Sequence, residues 1–260
     1  MNDELDFARR FGGVARLYGA DGLAKLQTTH ICVIGIGGVG SWAAEALARN
    51  AVGTITLIDL DNIAESNVNR QLHAVDGVFG QAKVSAMSDR IKLINPTAKV
   101  IVIEEFVTIE NVNEMLNFGF DGVIDCIDDA KAKAAIAGFC QVNSIPLIMT
   151  GAAGGRLDAT RIKQADLSEV SHDKLLARVR NLLRCDYGFA KANATKNKPT
   201  KFGIQCVYSD EYVIKPDRMD DAEGVAITGL NCAGYGSSVC VTAPFGFAAS
   251  GLLLQRLLHN

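Results

Sequence analysis

The segment Gly35-Ile36-Gly37-Gly38-Val39-Gly40 stands between an apolar run, Ile31-Cys32-Val33-Ile34, and a helical pattern, Ser41-Trp42-Ala43-Ala44-Glu45-Ala46-Leu47-Ala48. Strand, glycine turn and helix in that order confine the chain to few folds, and the physics of such a turn is phosphate binding. Glycines let the backbone approach a ligand closely, and the helix behind them offers unpaired N–H groups and a positive dipole end. Gly35, Gly37, Gly38 and Gly40 are therefore candidate nucleotide contacts. A second apolar run, Ile55-Thr56-Leu57-Ile58, ends in Asp59, 19 residues past Gly40. A βαβ nucleotide fold puts a carboxylate there, on a ribose hydroxyl. The plainer alternative is a tight turn made for packing alone. The flanking strand and helix and the acid that follows favour nucleotide binding.

Beyond that turn, apolar runs alternate with helical lengths. Strands are expected at 31–36, 54–59, 99–104, 122–126 and 146–150, and helices at 40–50, 66–72, 80–94, 109–117 and 130–143. Residues 1–29 read as helical, and Asn95-Pro96 closes the helix over 80–94, since the residue before a proline is driven out of helical geometry. This pattern predicts an α/β fold, a doubly wound, mainly parallel, Rossmann-like sheet. Such sheets bind ligands beyond the carboxyl ends of their strands. Asp59, Asp61 and the cluster Asp125-Cys126-Ile127-Asp128-Asp129 all follow strands, so one crevice can collect them. The pattern changes near residue 156. Residues 161–165 and 204–208 are expected as strands of a smaller sheet or of an extension, with a basic insertion between them.

The 260-residue chain has a net charge of −3, so it is no polycation, and nucleic-acid binding requires a local patch. The insertion supplies one. Between Lys174 and Lys201, the cations Lys174, Arg178, Arg180, Arg184, Lys191, Lys196, Lys198 and Lys201 face one acid, Asp186, a balance of +7. Residues 190–201 read as a flexible loop, and the alternative to an interface is a solvated one. The start, Met1-Asn2-Asp3-Glu4, is acidic and lacks an apolar signal region, and the cysteines number seven. Reduced thiols in the cytoplasm are the simplest expectation. From Val225 to Gln255 there is no charge. A membrane helix needs about 20 predominantly apolar residues. Gly, Ser, Asn and Pro interrupt this run, which reads as a glycine-rich connection followed by a buried terminal helix.

The chemistry concentrates in Asp59-Leu60-Asp61-Asn62 and Asn67-Val68-Asn69-Arg70-Gln71. A hydride-transferring enzyme needs only the ribose acid here. A second Asp, two Asn and an Arg suit a nucleotide whose phosphates react. Asp61 is placed for ribose or magnesium. Asn67 and Arg70 share a face if the segment is helical. Arg70 can neutralise charge developing on a phosphate, and Lys83, after Gly80, supplies a second cation. A carboxylate ending a strand, within Asp125–Asp129, suits Mg²⁺, which takes one or two carboxylates plus substrate phosphates. The bland readings are helix caps for Asp61 or Asp129 and backbone hydrogen bonds for Asn67, Asn69 and Gln71.

Together, Gly35–Gly40, Asp59-x-Asp61, Asn67-x-x-Arg70-Gln71, Lys83 and Asp128 resemble the ubiquitin-activating-enzyme-like superfamily, whose members adenylate carboxylates with ATP. The resemblance implies that Asp59 binds ribose, that Asn67, Arg70 and Lys83 contact phosphates, and that Asp128 binds magnesium. It also implies a homodimer in which an N-terminal arginine, Arg10 with Arg9 and Arg16 close by, reaches the ATP of the partner subunit. ATP and Mg²⁺ are the implied cofactors. Residues 1–155 are then an ATP-binding core with N-terminal helices. Residues 156–260 are a substrate-binding extension and C-terminal helix packed on that core as one unit.

One branch of that superfamily activates sulfur carriers and bears a structural zinc on two CxxC pairs. The cysteines here, at 32, 126, 140, 185, 206, 232 and 240, have no such spacing, so no zinc of that kind is expected. The segments Arg10-Phe11-Gly12-Gly13-x-Ala15-Arg16-Leu17-Tyr18-Gly19, Gly35 to Arg49 and Phe245-Gly246-Phe247 are similar instead to the branch that dehydrates threonylcarbamoyladenosine in tRNA. The implied substrate is tRNA carrying that nucleoside, with a sulfur-transfer protein system as a further candidate partner. In the implied reaction the threonylcarbamoyl carboxylate attacks the α-phosphorus of ATP and pyrophosphate leaves. A nitrogen or oxygen of the same side chain then closes a ring and expels AMP. Proximity within one substrate removes the need for a protein nucleophile. Cys232 and Cys185 are candidates for a covalent step, against the commoner case of inert thiols. The rival functions are adenylation of a sulfur-carrier C-terminus, a non-catalytic nucleotide sensor or scaffold, and an NAD-dependent oxidoreductase.

Overall fold

The computed structural model describes residues 6–191, 199–215 and 235–259. Helix α1, Phe7–Thr28, breaks at Gly19, whose φ of 80° no ordinary side chain adopts easily. Then follow β1 (His30–Ile34), α2 (Gly40–Arg49), β2 (Thr54–Ile58), α3 (Lys83–Ile94), β3 (Lys99–Ile103), the single turn α4 (Val112–Met115), β4 (Gly122–Asp125), α5 (Ala130–Val142) and β5 (Leu147–Thr150). The chain continues through β6 (Ile162–Asp166), α6 (Lys174–Asp186), β7 (Gln205–Ser209) and α7 (Val239–Leu258).

Among the described residues the strands form one seven-stranded sheet of order β3-β2-β1-β4-β5-β7-β6. All pairs are parallel except β6 with β7. The expected doubly wound α/β fold is the observed one. The two C-terminal strands extend the main sheet and do not form a second one. The chain direction across the sheet reverses between β1 and β4. There Ile34 stands opposite both Ile58 and Asp125, so Gly35, Asp59 and Cys126 emerge side by side.

Alternate residues of each strand point to opposite faces. On one face Ile31, Val33 and Leu57 pack against Leu47, Met87, Phe245 and Leu253. On the other, Cys32, Ile34 and Met149 pack against Ile136, Leu176, Val179 and Leu183. Helix α7 is long and apolar enough to cross a membrane by length and composition, but half of its most apolar stretch (50%) is buried within the protein. It lies on α2 so closely that a Cβ at Gly246 would stand 2.5 Å from the Val39 carbonyl oxygen and 2.8 Å from the Ala43 nitrogen. Phe245 is wholly buried, and Phe247 meets Trp42 edge-on at 5.8 Å. The Phe245-Gly246-Phe247 motif thus holds α2, and with it the glycine turn, in place.

Several expected boundaries shift. The helix expected over 66–72 is a short 3-10 turn, Glu65–Asn67, followed by turns. Asn67 accepts the Ala64 N–H through Oδ1 at 3.1 Å, and Asn69 reaches Ser237 O at 2.7 Å, so side chains take over partners a helix would supply. The helix expected over 109–117 shrinks to Val112–Met115, and that over 80–94 starts at Lys83. The basic stretch contains α6, which was not expected. Most of the loop over 190–201, and the glycine-rich connection before residue 235, lie outside the described residues.

Candidate functional site

A cleft of about 830 Å³ opens beyond the carboxyl ends of β1, β2, β4 and β5. Gly35, Gly37 and Gly38 line it. Gly35 has φ +83°, and a Cβ on it would lie 2.9 Å from Ile127 Cγ2. A Cβ on Gly40 would lie 1.8 Å from the Gly35 carbonyl oxygen, so the turn closes only with glycine there. At the start of α2 the Ser41 N–H donates to Gly37 O and the Ala43 N–H to Val39 O, both at 3.1 Å, and Gly37, Gly38 and Val39 ahead of the helix line the cleft, where the positive end of the helix dipole stabilises an anion.

Asp59 lines the cleft and is buried. Its carboxylate accepts the Ile36 N–H at 2.6 Å and the Asp61 N–H at 2.9 Å. Burial pushes its pKa up, opposed chiefly by the nearby Lys83. Asp59 therefore shapes the glycine turn as well as facing the ligand space, a job the sequence reading did not assign. An ionised carboxylate has about four acceptor positions, so capacity remains for a hydroxyl.

Lys83, buried at the start of α3, donates to the exposed Asp61 Oδ2 at 2.6 Å. The stem of Arg70 lies against Gly38, with Arg70 Cγ 3.1 Å from where a Gly38 Cβ would be. Its Nη1 donates to Ser66 O at 2.8 Å and Asn69 Oδ1 at 3.0 Å. Trp42 Nε1 donates to the Arg70 carbonyl at 3.0 Å, so the glycine helix fixes the backbone that carries this cation. Asn67 and Gln71 are buried in the same wall, and Gln71 Oε1 has no hydrogen-bond partner among the described residues.

The acids at the end of β4 and just beyond it divide by role. Asp125 is fully buried against the equally buried Lys133 at 2.9 Å. Asp129 caps α5 by accepting the Ala132 N–H at 2.7 Å, the bland reading weighed from sequence. Asp128 is exposed in the cleft lining. Among the described residues, no three His, Cys, Asp or Glu side chains form a metal cage. Asp128 instead fits an ion that takes one carboxylate and completes its shell with phosphates and water.

The cleft brings together all the candidate residues except Gly40, which packs behind the turn, and Arg10. Arg10 Nη1 donates to the Ile94 and Leu93 carbonyls, at 2.8 and 3.3 Å, at the end of α3. It is not among the residues lining the cleft. The loop Glu105–Glu110 and Lys131, Ala152, Tyr235 and Thr242 also line the cleft. The sequence reading missed these. For the loop, the signal was its position at the carboxyl end of β3. Cys126 also lines the cleft, but burial pushes its thiol up to about 12, so it is protonated at neutral pH. Cys185 is exposed on α6, outside the lining, and Cys232 lies outside the described residues.

Residues 10–255 match the profile of the ThiF family. The chain belongs to the ThiF family. Among ThiF-like relatives, it is 46% identical to the tRNA threonylcarbamoyladenosine dehydratase of Haemophilus influenzae over 98% of this chain and 95% of the relative. It is 43% identical to the Escherichia coli dehydratase over 96% and 94% of the two chains. The crystal structure of the E. coli dehydratase in complex with ATP superimposes with a TM-score of 0.87 at 42% identity, covering 98% of this chain and 96% of that one. The H. influenzae molybdopterin-synthase adenylyltransferase is similar over less, with 30% identity across 58% of this chain and 60% of that protein.

Proposed function

We propose that this ThiF-family protein is an ATP-dependent enzyme that cyclises threonylcarbamoyladenosine in tRNA, with loss of water, by adenylating its carboxylate. The observation that carries the adenylation reading is the placement of Arg70 and Lys83 with Asp128 around one glycine turn. Near full-length similarity to the dehydratases supports the substrate. The shorter match to a sulfur-carrier activator makes that alternative the weaker one.

In this mechanism the Gly37-Gly38 backbone, at the positive end of α2, holds the triphosphate. Asp59 takes the ribose through its spare acceptor positions. Arg70 and Lys83 lie where negative charge grows as the carboxylate attacks the α-phosphorus and pyrophosphate departs. Preorganised donors aimed at developing charge are the largest single catalytic effect in most enzymes. Asn67 and Gln71 orient the phosphates, and the unpartnered Gln71 Oε1 supports a ligand contact there. Asp128 would hold Mg²⁺, which would neutralise phosphate charge. A nitrogen or oxygen of the substrate then attacks the activated carbonyl and AMP leaves.

The test is mass spectrometry of nucleosides from tRNA incubated with enzyme, ATP and Mg²⁺. A product lighter than threonylcarbamoyladenosine by one water is expected. Unchanged tRNA, together with pyrophosphate exchange stimulated by a sulfur-carrier protein, would overturn the proposal. The six described cysteines are free thiols, which supports a cytoplasmic setting.

The proposal includes a symmetric homodimer in which an N-terminal arginine completes the neighbouring site. What supports it is the cluster Arg9, Arg10 and Arg16 on α1, remote from its own cleft lining. Arg10 must then exchange the α3 carbonyls for the partner's nucleotide, or yield the role to Arg9 or Arg16. Mixing Arg10→Ala and Lys83→Ala subunits is expected to restore about a quarter of the activity on random exchange, since half the dimers are mixed and each carries one intact site. No recovery despite demonstrated exchange would place the arginine in its own subunit or remove it from the site.

A further inference from the structure

The eight cations of the basic stretch do not do one job. Arg180 donates to Val170 O at 2.7 Å and Leu167 O at 3.3 Å, and burial lowers its pKa. Arg184 donates to Ala190 O at 3.3 Å and lies over the Phe202 ring at 5.5 Å. These two arginines brace α6 against its neighbours. Lys174, Arg178, Lys191 and Lys201 are exposed and have no ion-pair partner among the described residues.

Their placement is ordered. Leu175, Leu176, Val179 and Leu183 bury one face of α6, which leaves Lys174, Arg178, Asn181 and Cys185 as a stripe on the opposite face. The stripe begins at the cleft. Asp173 caps α6 through Leu176 N–H at 2.9 Å, and its other oxygen accepts the Ala152 N–H of the cleft wall, also at 2.9 Å. At the far end, Phe189 meets Phe202 at 5.0 Å, which brings Lys191 and Lys201 to the helix C-terminus. With 13 residues, α6 spans about 20 Å.

We infer that this face of α6 is a track for the phosphate backbone of tRNA, leading from the mouth of the cleft toward Lys191 and Lys201. The inference rests on the proposed tRNA substrate and adds where that substrate lies. A modified base inside the cleft leaves its flanking phosphates outside it. Lys174 and Arg178 stand at that exit in a protein whose net charge is −3. A polyanion is the occupant that this charge complements, because neutralising each phosphate releases condensed counterions.

The experiment measures the affinity of tRNA bearing threonylcarbamoyladenosine across a salt series, for wild type, Lys174→Ala/Arg178→Ala and a control, Lys92→Ala/Lys99→Ala. The control removes the same charge from exposed positions on α3 and β3, at the opposite edge of the sheet. Each lost phosphate contact is expected to remove about 0.7 from the salt slope for a single strand. The track variant should thus lose about 1.4 in slope and bind roughly 25-fold more weakly at about 0.1 M salt, taking 1 M as the reference. The control should match wild type, and ATP affinity by calorimetry should be equal in all three. An unchanged slope in the track variant, or an equal loss in the control, overturns the track. Wild type that binds no tRNA overturns the functional reading beneath it as well.

Discussion

Replacing Lys133 with methionine is expected to destabilise the protein by about 3–5 kcal/mol, the usual result of removing one partner from a buried ion pair. Lys133 and Asp125 are both wholly buried under the floor of the cleft, 2.9 Å apart. Burial pushes the Asp125 carboxyl up even against the attraction of Lys133, and its Oδ2 has no hydrogen-bond partner among the described residues. The site is therefore one where desolvation already outweighs the charge partner. Without the ammonium, an uncompensated carboxyl is left between α5 and the sheet. Lys133 also donates to the Asp125 carbonyl at 3.2 Å, and Asp125 Oδ1 accepts the Ile127 N–H at 3.1 Å, so the pair holds the turn that leads to Asp128. The melting temperature should fall by roughly 6–15 °C, at about 2–3 °C per kcal/mol for a chain of this size. The double variant Asp125→Asn/Lys133→Met should recover part of that loss, because no charge is then stranded. A single variant that melts within 2 °C of wild type, roughly 1 kcal/mol on the same scale, would mean that water or a shifted side chain already compensates Asp125.

The contrast between that pair and the rest of the site shows what the sequence could reveal. The glycine turn and Asp59 were legible because their chemistry is local: strand, turn and helix follow directly in the chain, and Gly40 has no room for any side chain. Strands β2 and β3 were legible because short apolar runs between helical lengths admit no other use. The division of labour among Asp125, Asp128 and Asp129 was not legible. It depends on Lys133 turning inward from one turn further along α5 and on the Ala132 N–H taking Asp129. Helix α6 was hidden by its own charge, which drew attention to solvent. Yet Leu175, Leu176, Val179 and Leu183 repeat at helical spacing, and that period was the available signal. The segment after Asp61 misled in the opposite way. Asn67 and Arg70 are three apart in sequence, as on a helix, but side-chain hydrogen bonds hold them in turns. They still meet in one cleft wall, because Trp42 and Ser237 fix the backbone around them.

Lys83→Ala and Arg70→Ala are each expected to lower kcat by roughly 10²–10³, the loss typical for one preorganised donor to a transition-state charge, with a smaller change in ATP affinity. The two cations sit differently, and the difference sharpens the expectation. Lys83 is buried, and its ammonium meets the exposed Asp61 at 2.6 Å. Removing it leaves Asp61 in water, where exposed charges gain little from pairing, but it also takes from the buried Asp59 the cation that chiefly opposes its burial, so some stability should be lost as well. Arg70 is held by Ser66 O and Asn69 Oδ1, with its stem against Gly38, so its truncation also loosens packing beside the glycine turn. Arg70→Lys should restore little, because a point charge cannot reproduce the guanidinium fork. Interactions made only in the transition state lower kcat and kcat/KM together when removed, whereas uniform binding contacts raise KM alone. Single-turnover formation of AMP from ATP and threonylcarbamoyl-tRNA, with ATP binding measured separately, distinguishes the two. Adenylation at the wild-type rate in both variants would remove these residues from the chemistry. A loss confined to KM would make them anchors for ATP, with no share in the departure of pyrophosphate.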